Sequence, residues 1–164
     1  MPIQIGERIP EATLKRLGDG IQDIRTSEIF SGKKVVLFAV PGAFTPTCSA
    51  RHLPGYVEHF EALRAKGIDT VACMAVNDPF VMDAWAKQQH VPEGLLMLSD
   101  GNAEFTRKLG LELDASAFGM GVRSQRFALV ADDGVVTHLF VEAPGEFRVS
   151  AAENVLEALS ASSR

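Results

Sequence analysis

One unbroken apolar run constrains this chain more than any other feature. Val35-Val36-Leu37-Phe38-Ala39-Val40 contains no polar side chain and is rich in β-branched residues. A strand apolar on both faces has to be covered on both faces, which makes it a central strand in a sheet with parallel neighbours. The next stretch, Pro41-Gly42-Ala43-Phe44-Thr45-Pro46-Thr47-Cys48, is a turn, and residues 49–66 read as a helix. Cys48 therefore falls in the first helical turn. Unpaired backbone N–H groups and the positive end of the helix dipole favour an anion there. For a cysteine that anion is the thiolate, which is its reactive form.

The remaining elements follow in order. Residues 12–17 alternate, Gly18-Asp19-Gly20 signals a turn, and residues 21–24 resume, which predicts a hairpin. Residues 27–30 make one helical turn. Pro54 removes a backbone bond from the long helix, so two segments are expected, a short one bearing Cys48 and a longer one from about residue 55 to 65, ended by Gly67. A strand at 68–76 and a helix at 79–89, capped by Asn77 or Asp78, come next. A strand at 95–98 and a short helix at 103–109 follow, and residues 112–120 read as a loop. Residues 126–131 and 135–142 form a hairpin about Asp132-Asp133-Gly134, and residues 151–160 form the last helix. The middle is βαβα and the end ββα, so the class is α/β. The order resembles the thioredoxin-like fold, a central mixed sheet flanked by helices, here with an N-terminal β-hairpin extension. The 164 residues suit one domain spanning 1–164.

Pro41, Thr45 and Cys48 form Pro-x-x-x-Thr-x-x-Cys, which resembles the active-site signature of peroxiredoxins. The string from Val40 to Ser49, followed by His52-Leu53-Pro54-Gly55, is similar to the type-5 (peroxiredoxin-5-like) subfamily. The likeness continues through Val76-Asn77-Asp78-Pro79-Phe80-Val81 and Arg123-Ser124-Gln125-Arg126-Phe127. It implies a thiol-dependent peroxidase acting on hydrogen peroxide and alkyl hydroperoxides through a Cys48 sulfenic acid. Such a site needs a thiolate, donors for two oxygens, and a wall against water.

On that resemblance Cys48 is the nucleophile and Arg126, directly before Phe127-Ala128-Leu129-Val130, is the active-site arginine. Inside an apolar strand pattern a guanidinium has few other reasons to be present. Arg123 is the competing candidate, with a solvated or interface role equally open. The Thr45 hydroxyl can donate to thiolate or peroxide; the same position suits an ordinary N-cap. Pro41 shields the nucleophile, starts a turn, or does both. His52, four residues after Cys48, shares its helix face. It either assists the thiolate as an imidazolium, gates access, or is a generic helix histidine. Phe44, Phe80, Phe118 and Met120 are read as an apolar collar, a dimer contact or plain core.

The type-5 members that carry a resolving cysteine have it before the last helix; here residues 144–151 contain none. Cys73, in the apolar run 71–76, reads as a buried structural thiol. A one-cysteine cycle follows, with glutathione or glutaredoxin as first choice of reductant and thioredoxin second. A Cys-x-x-Cys oxidoreductase is excluded because Thr45, three residues before Cys48, stands where the first cysteine of that motif would be. A peroxide sensor that passes oxidation from Cys48 to a partner protein is the alternative, and an inert scaffold is disfavoured by the complete motif. His59, His90 and His138 show no ligand spacing, so neither metal nor cofactor is expected. A formal charge of −5 without a basic run argues against nucleic acid, and no apolar segment is long enough for a membrane span. Two cysteines and no secretory pattern at the N-terminus fit the reducing cytoplasm, or an organelle if a targeting peptide was removed. The resemblance implies a homodimer.

Overall fold

β3 (Lys34–Ala39) is the strand on which the sheet is laid, in a computed structural model that describes residues 1–162. It pairs parallel with β4 (Thr70–Ala75) and antiparallel with β8 (Phe127–Asp132). β4 pairs parallel with β5 (Leu95–Ser99), and β9 (Val135–Val141) lies antiparallel outside β8. The predicted hairpin is β1 (Thr13–Gly18) and β2 (Gly20–Arg25), hung on β5 where Lys15 faces Ser99. The mixed sheet has seven strands in the order β2-β1-β5-β4-β3-β8-β9.

Period-two alternation along β3 sorts the core into two apolar clusters. Val36, Phe38 and Val40 enter one, with Leu53 and Tyr56 of α2 (Leu53–Glu58), Phe60 and Leu63 of α3 (Phe60–Ala65) and Trp85 of α4 (Pro79–Gln88). Val155 of α6 (Ala152–Ser162) completes that face. Val35, Leu37 and Ala39 enter the other, with Phe30 of α1 (Thr26–Phe30) and Phe105 and Leu109 of α5 (Glu104–Leu109). Helices thus cover both faces, as a doubly apolar strand requires. The fold is the thioredoxin-like α/β one, with the hairpin extension at its edge.

Two local expectations need correction. Residues 112–120 are more than a loop: β6 (Glu112–Asp114) pairs antiparallel with β7 (Val122–Ser124), with a 3₁₀ turn at Ser116–Phe118 between them. β6 has an exposed residue at each end and only Leu113 half-buried, so it lacks the apolar alternation that marks a strand. The long helix has a second break, at His59 (φ −97°, ψ 11°), where no proline stands; its ring meets Glu153 of α6 at 3.2 Å.

Candidate active site

The turn after β3 is pinned at several points. Val40 donates to the Met74 carbonyl at 3.0 Å. Ala43 N–H donates to Asn77 Oδ1 at 2.9 Å, and the Asn77 carbonyl accepts from the Ser99 hydroxyl. The cap of α4 is Asp78, which accepts from Val81 N–H, so Asn77 is left to hold the turn. At Gly42 a Cβ would stand 3.1 Å from Thr45 Cγ2 and 3.2 Å from both Arg123 Nη1 and Met120 Cε. Phe44 takes a left-handed conformation (φ 65°), which costs about 1–2 kcal/mol for an L-residue and bends the chain into its helix. Thr45 opens that helix, its carbonyl accepting from Ser49 N–H at 2.9 Å. Its hydroxyl donates to the Gly42 carbonyl at 2.6 Å, which leaves the oxygen free to act as an acceptor.

The next turn, Cys48–His52, is wider than an α-helical one: Leu53 N–H reaches five residues back to the Cys48 carbonyl. Pro54 follows in the first turn of α2, where a missing N–H is tolerated. Both Cys48 and His52 point into the protein. Arg126 arrives from the opposite strand, because Ala39 of β3 faces Phe127 of β8. Its Nη2 donates to Cys48 Sγ at 3.1 Å and its Nη1 to His52 Nδ1 at 2.9 Å.

That second bond fixes the imidazole. Nδ1 is an acceptor, so Nε2 carries the proton and donates to the Ser150 carbonyl at 3.2 Å. Tyr56 Oη donates to the same carbonyl at 2.7 Å, its ring stacked on Phe38 with centroids 3.8 Å apart. Burial, aided by the adjacent Arg126 charge and opposed by the Ser150 bond, lowers the His52 pKa to about 3. His52 is therefore neutral at physiological pH, which removes the imidazolium from the three roles open to it. What His52 supplies is an acceptor that orients Arg126.

The segment between β9 and α6 closes this side. Phe147 stands with its ring 5.0 Å from that of His52, 4.8 Å from the Arg51 guanidinium and 5.9 Å from that of Arg126. A cleft of about 310 Å³ opens beside Arg126, bounded by Pro41, Thr47, Leu113, Ala143 and Pro144. Tyr56, Phe147, Ser150 and Glu142 were not anticipated from the sequence. Only their order in the folded chain brings them together.

Cys48, His52 and Arg126 come together, and Pro41 lines the cleft beside Arg126. The Thr45 hydroxyl, read as a donor to the sulfur or the peroxide, is instead committed to the Gly42 carbonyl. Arg123 does not join the sulfur: it packs against Gly42, and its Nε donates to the Met120 carbonyl at 2.8 Å. Phe44, Phe80 and Phe118 are not core residues, being 49%, 60% and 80% exposed. Cys73 lies in β4 opposite Phe38, fully buried. Burial, reinforced by the negative charge of a Cys48 thiolate and offset in part by Arg126, pushes the Cys73 thiol well above the usual range.

A thioredoxin-like sheet that delivers a guanidinium to a cysteine at a helix head defines a thiol redox protein. The redoxin family model matches residues 4–156. The chain is 51% identical over 162 residues to the chloroplastic peroxiredoxin-2E of Arabidopsis thaliana, covering 96% of this chain and 69% of that one. The crystal structure of reduced Prx3 of Vibrio vulnificus in complex with hydrogen peroxide matches with a TM-score of 0.92 at 55% identity, over 96% of this chain and 99% of that one. The antioxidant protein of Plasmodium falciparum, described as a 1-Cys peroxiredoxin, matches with a TM-score of 0.90 at 29% identity over 97% and 99%. The chain belongs to the redoxin family and is a peroxiredoxin of the type-5-like kind, a thiol-dependent peroxidase.

Proposed function

We propose that Cys48 reduces hydrogen peroxide and alkyl hydroperoxides in a one-cysteine cycle. The observation that carries this is the 3.1 Å contact between Arg126 Nη2 and Cys48 Sγ, a fixed positive charge at a helix-head sulfur. The thiolate attacks one peroxide oxygen in line. An S–O bond forms, the O–O bond breaks, and the departing hydroxide or alkoxide takes up a proton. The product on the protein is the Cys48 sulfenic acid. Arg126 stabilises both the thiolate and the departing anion. Thr45 Oγ1, whose proton is committed to Gly42, accepts from the incoming O–H, and Pro41 walls the cleft without adding a donor.

The sulfenic acid then condenses with an external thiol, releasing water and leaving a mixed disulfide. A second thiol attacks that disulfide and restores Cys48. Glutathione, with or without glutaredoxin, is the first reductant, and thioredoxin the second. Burial in the middle of β4 favours the neutral Cys73 thiol, which argues against it as the internal thiol. The whole chain acts as one domain, in the reducing cytoplasm or in an organelle. Exposed Phe44, Phe80 and Phe118 favour a homodimer that covers them.

The test is steady-state consumption of hydrogen peroxide and of an organic hydroperoxide, with glutathione and thioredoxin systems run side by side. Many turnovers per Cys48 with added glutathione are expected. A single turnover with both systems would overturn the peroxidase cycle in favour of a sensor that hands oxidation to a partner.

A further inference from the structure

Glu142 makes no contact with the sulfur and is nonetheless tied to Arg126 at both ends. Its backbone N–H donates to the Arg126 carbonyl at 3.0 Å. Its side chain holds the far side of the same arginine through two intermediaries. One carboxylate oxygen, Oε2, accepts from Arg148 N–H at 2.8 Å, from Ser150 N–H at 2.7 Å and from the Ser150 hydroxyl at 2.6 Å. Those bonds fold residues 143–150 back over the site and set the direction of the Ser150 carbonyl. That carbonyl receives the His52 Nε2 proton, and His52 Nδ1 in turn receives Arg126 Nη1.

We propose that Glu142 is a positioning residue for the peroxidase reaction: through Ser150 and His52 it holds the Arg126 guanidinium in the plane from which it reaches Cys48. This rests on the roles assigned above to Cys48 and Arg126.

Three features make the chain of contacts more than a loop anchor. The carboxylate is buried, and burial alone would push its pKa up. The bonds from Ser150, Arg148 and Val149 outweigh that and hold it below the usual glutamate range, so it stays an anion able to accept three donors. Every link has a fixed direction. An anion accepts from Ser150, the Ser150 carbonyl can only accept, and this forces the proton onto His52 Nε2. His52 Nδ1 is then left as the acceptor for Arg126 Nη1. The same segment also presents Phe147 to His52 and to the Arg126 guanidinium, so loss of the anchor releases two supports together. Tyr56 shares the Ser150 carbonyl and braces it from the helix side.

The test uses the full chain. Glu142→Ala removes the acceptor, whereas Glu142→Gln keeps the shape and can place an amide oxygen where Oε2 sits. Two readouts are taken. The first is the rate of Cys48 oxidation by hydrogen peroxide, followed by the fluorescence of the single tryptophan, Trp85, whose Nε1 donates to Ser49 Oγ at 3.0 Å beside the reacting cysteine. The second is the tautomer of His52 in the reduced protein, read from the nitrogen NMR shifts of its ring. Glu142→Ala is expected to slow oxidation by roughly tenfold or more, as a small misplacement of a reacting group does. It is also expected to release His52 from the Nε2-protonated form, with Glu142→Gln recovering most of both. A folded Glu142→Ala protein whose His52 tautomer is unmoved overturns the proposal, whatever its rate. Should Glu142→Ala not fold, Glu142→Asp, which draws the carboxylate back by one methylene, decides it: an unmoved His52 tautomer overturns the proposal, a shifted one supports it. If wild-type Cys48 itself is not oxidised by peroxide, the peroxidase reading fails, while the tautomer still reports on the positioning.

Discussion

The two cysteines share a cluster and a depth, yet their surroundings differ in one decisive respect. Cys48 and Cys73 are both 0% exposed and both belong to the apolar cluster on the same face of the sheet. Cys73 sits mid-strand, where its backbone is consumed by the ladders to β3 and β5 and burial favours the neutral thiol. Cys48 sits where a strand has just become a helix, and a guanidinium donates to it. On the proposed cycle depth does not decide reactivity: a directed cation at a helix head does, and a strand interior has no room for one. Substitutions should divide along that line.

The largest effect is expected at the nucleophile. Cys48→Ser should reduce thiol-dependent peroxide consumption by at least about a thousandfold, while Cys73→Ser leaves most of it. A folded Cys73→Ser protein as inactive as Cys48→Ser would break the contrast and the one-cysteine cycle with it. Arg126→Lys comes next. It keeps the charge but loses the fork that reaches Sγ and His52 together, so the second-order rate with peroxide should fall about a hundredfold. Arg123→Lys should leave that rate near wild type, because Arg123 packs on Gly42 rather than on the sulfur. The reverse result would show that the wrong arginine has been given the catalytic role.

Much of the same contrast could be read from the chain itself, and where it could not the reason is physical. Pro41, Thr45 and Cys48 lie within eight residues, so one local turn sets their relation. The apolar run at 35–40 demanded a central strand and two covered faces, and the structure has both. Arg126 was conspicuous as a charge at the mouth of an apolar strand. The state of His52 is not legible in the sequence, because it depends on a carbonyl 98 residues away and on the Phe147 ring packed against it. Glu142 read as the end of a strand; its three donors lie in a segment with no repeating pattern. The second helix break at His59 was missed for the same reason, since no proline or glycine marks it.

His52 gives a smaller effect, and one with a definite sign. Its pKa is about 3 when folded and near 6.5 when unfolded, so the native state keeps it neutral where the unfolded chain binds a proton. The stability this represents is fully present above about pH 6.5 and is lost as the pH falls toward the folded value. The slope from one such group is about 1.4 kcal/mol per pH unit. Glu142 adds a loss of the same sign, but only at lower pH, because its carboxyl is held below the usual glutamate range. Urea unfolding followed from pH 7 to pH 5 should thus show falling stability in the wild type and a flatter profile in His52→Asn. Equal slopes would mean that His52 takes up its proton in the folded protein, and the fixed acceptor for Arg126 would be lost from the account.

The smallest effect is the most exacting test of the contrast. Cys73→Ala removes one buried sulfur from β4, between Phe38 of β3 and Met97 of β5. The sheet can close only part of that space, so a stability loss of about 1 kcal/mol is expected, with the peroxide rate unchanged. Alkylation provides the matching measurement. In the native protein a thiol reagent should modify Cys48 alone, and Cys73 should become reactive only when β4 is opened by denaturant, because its thiol is held neutral by burial rather than merely hidden from the reagent. If Cys73 were alkylated in the native protein as readily as Cys48, the strand interior would be no barrier. The guanidinium beside Cys48 would then no longer suffice to explain why one of two equally buried thiols reacts.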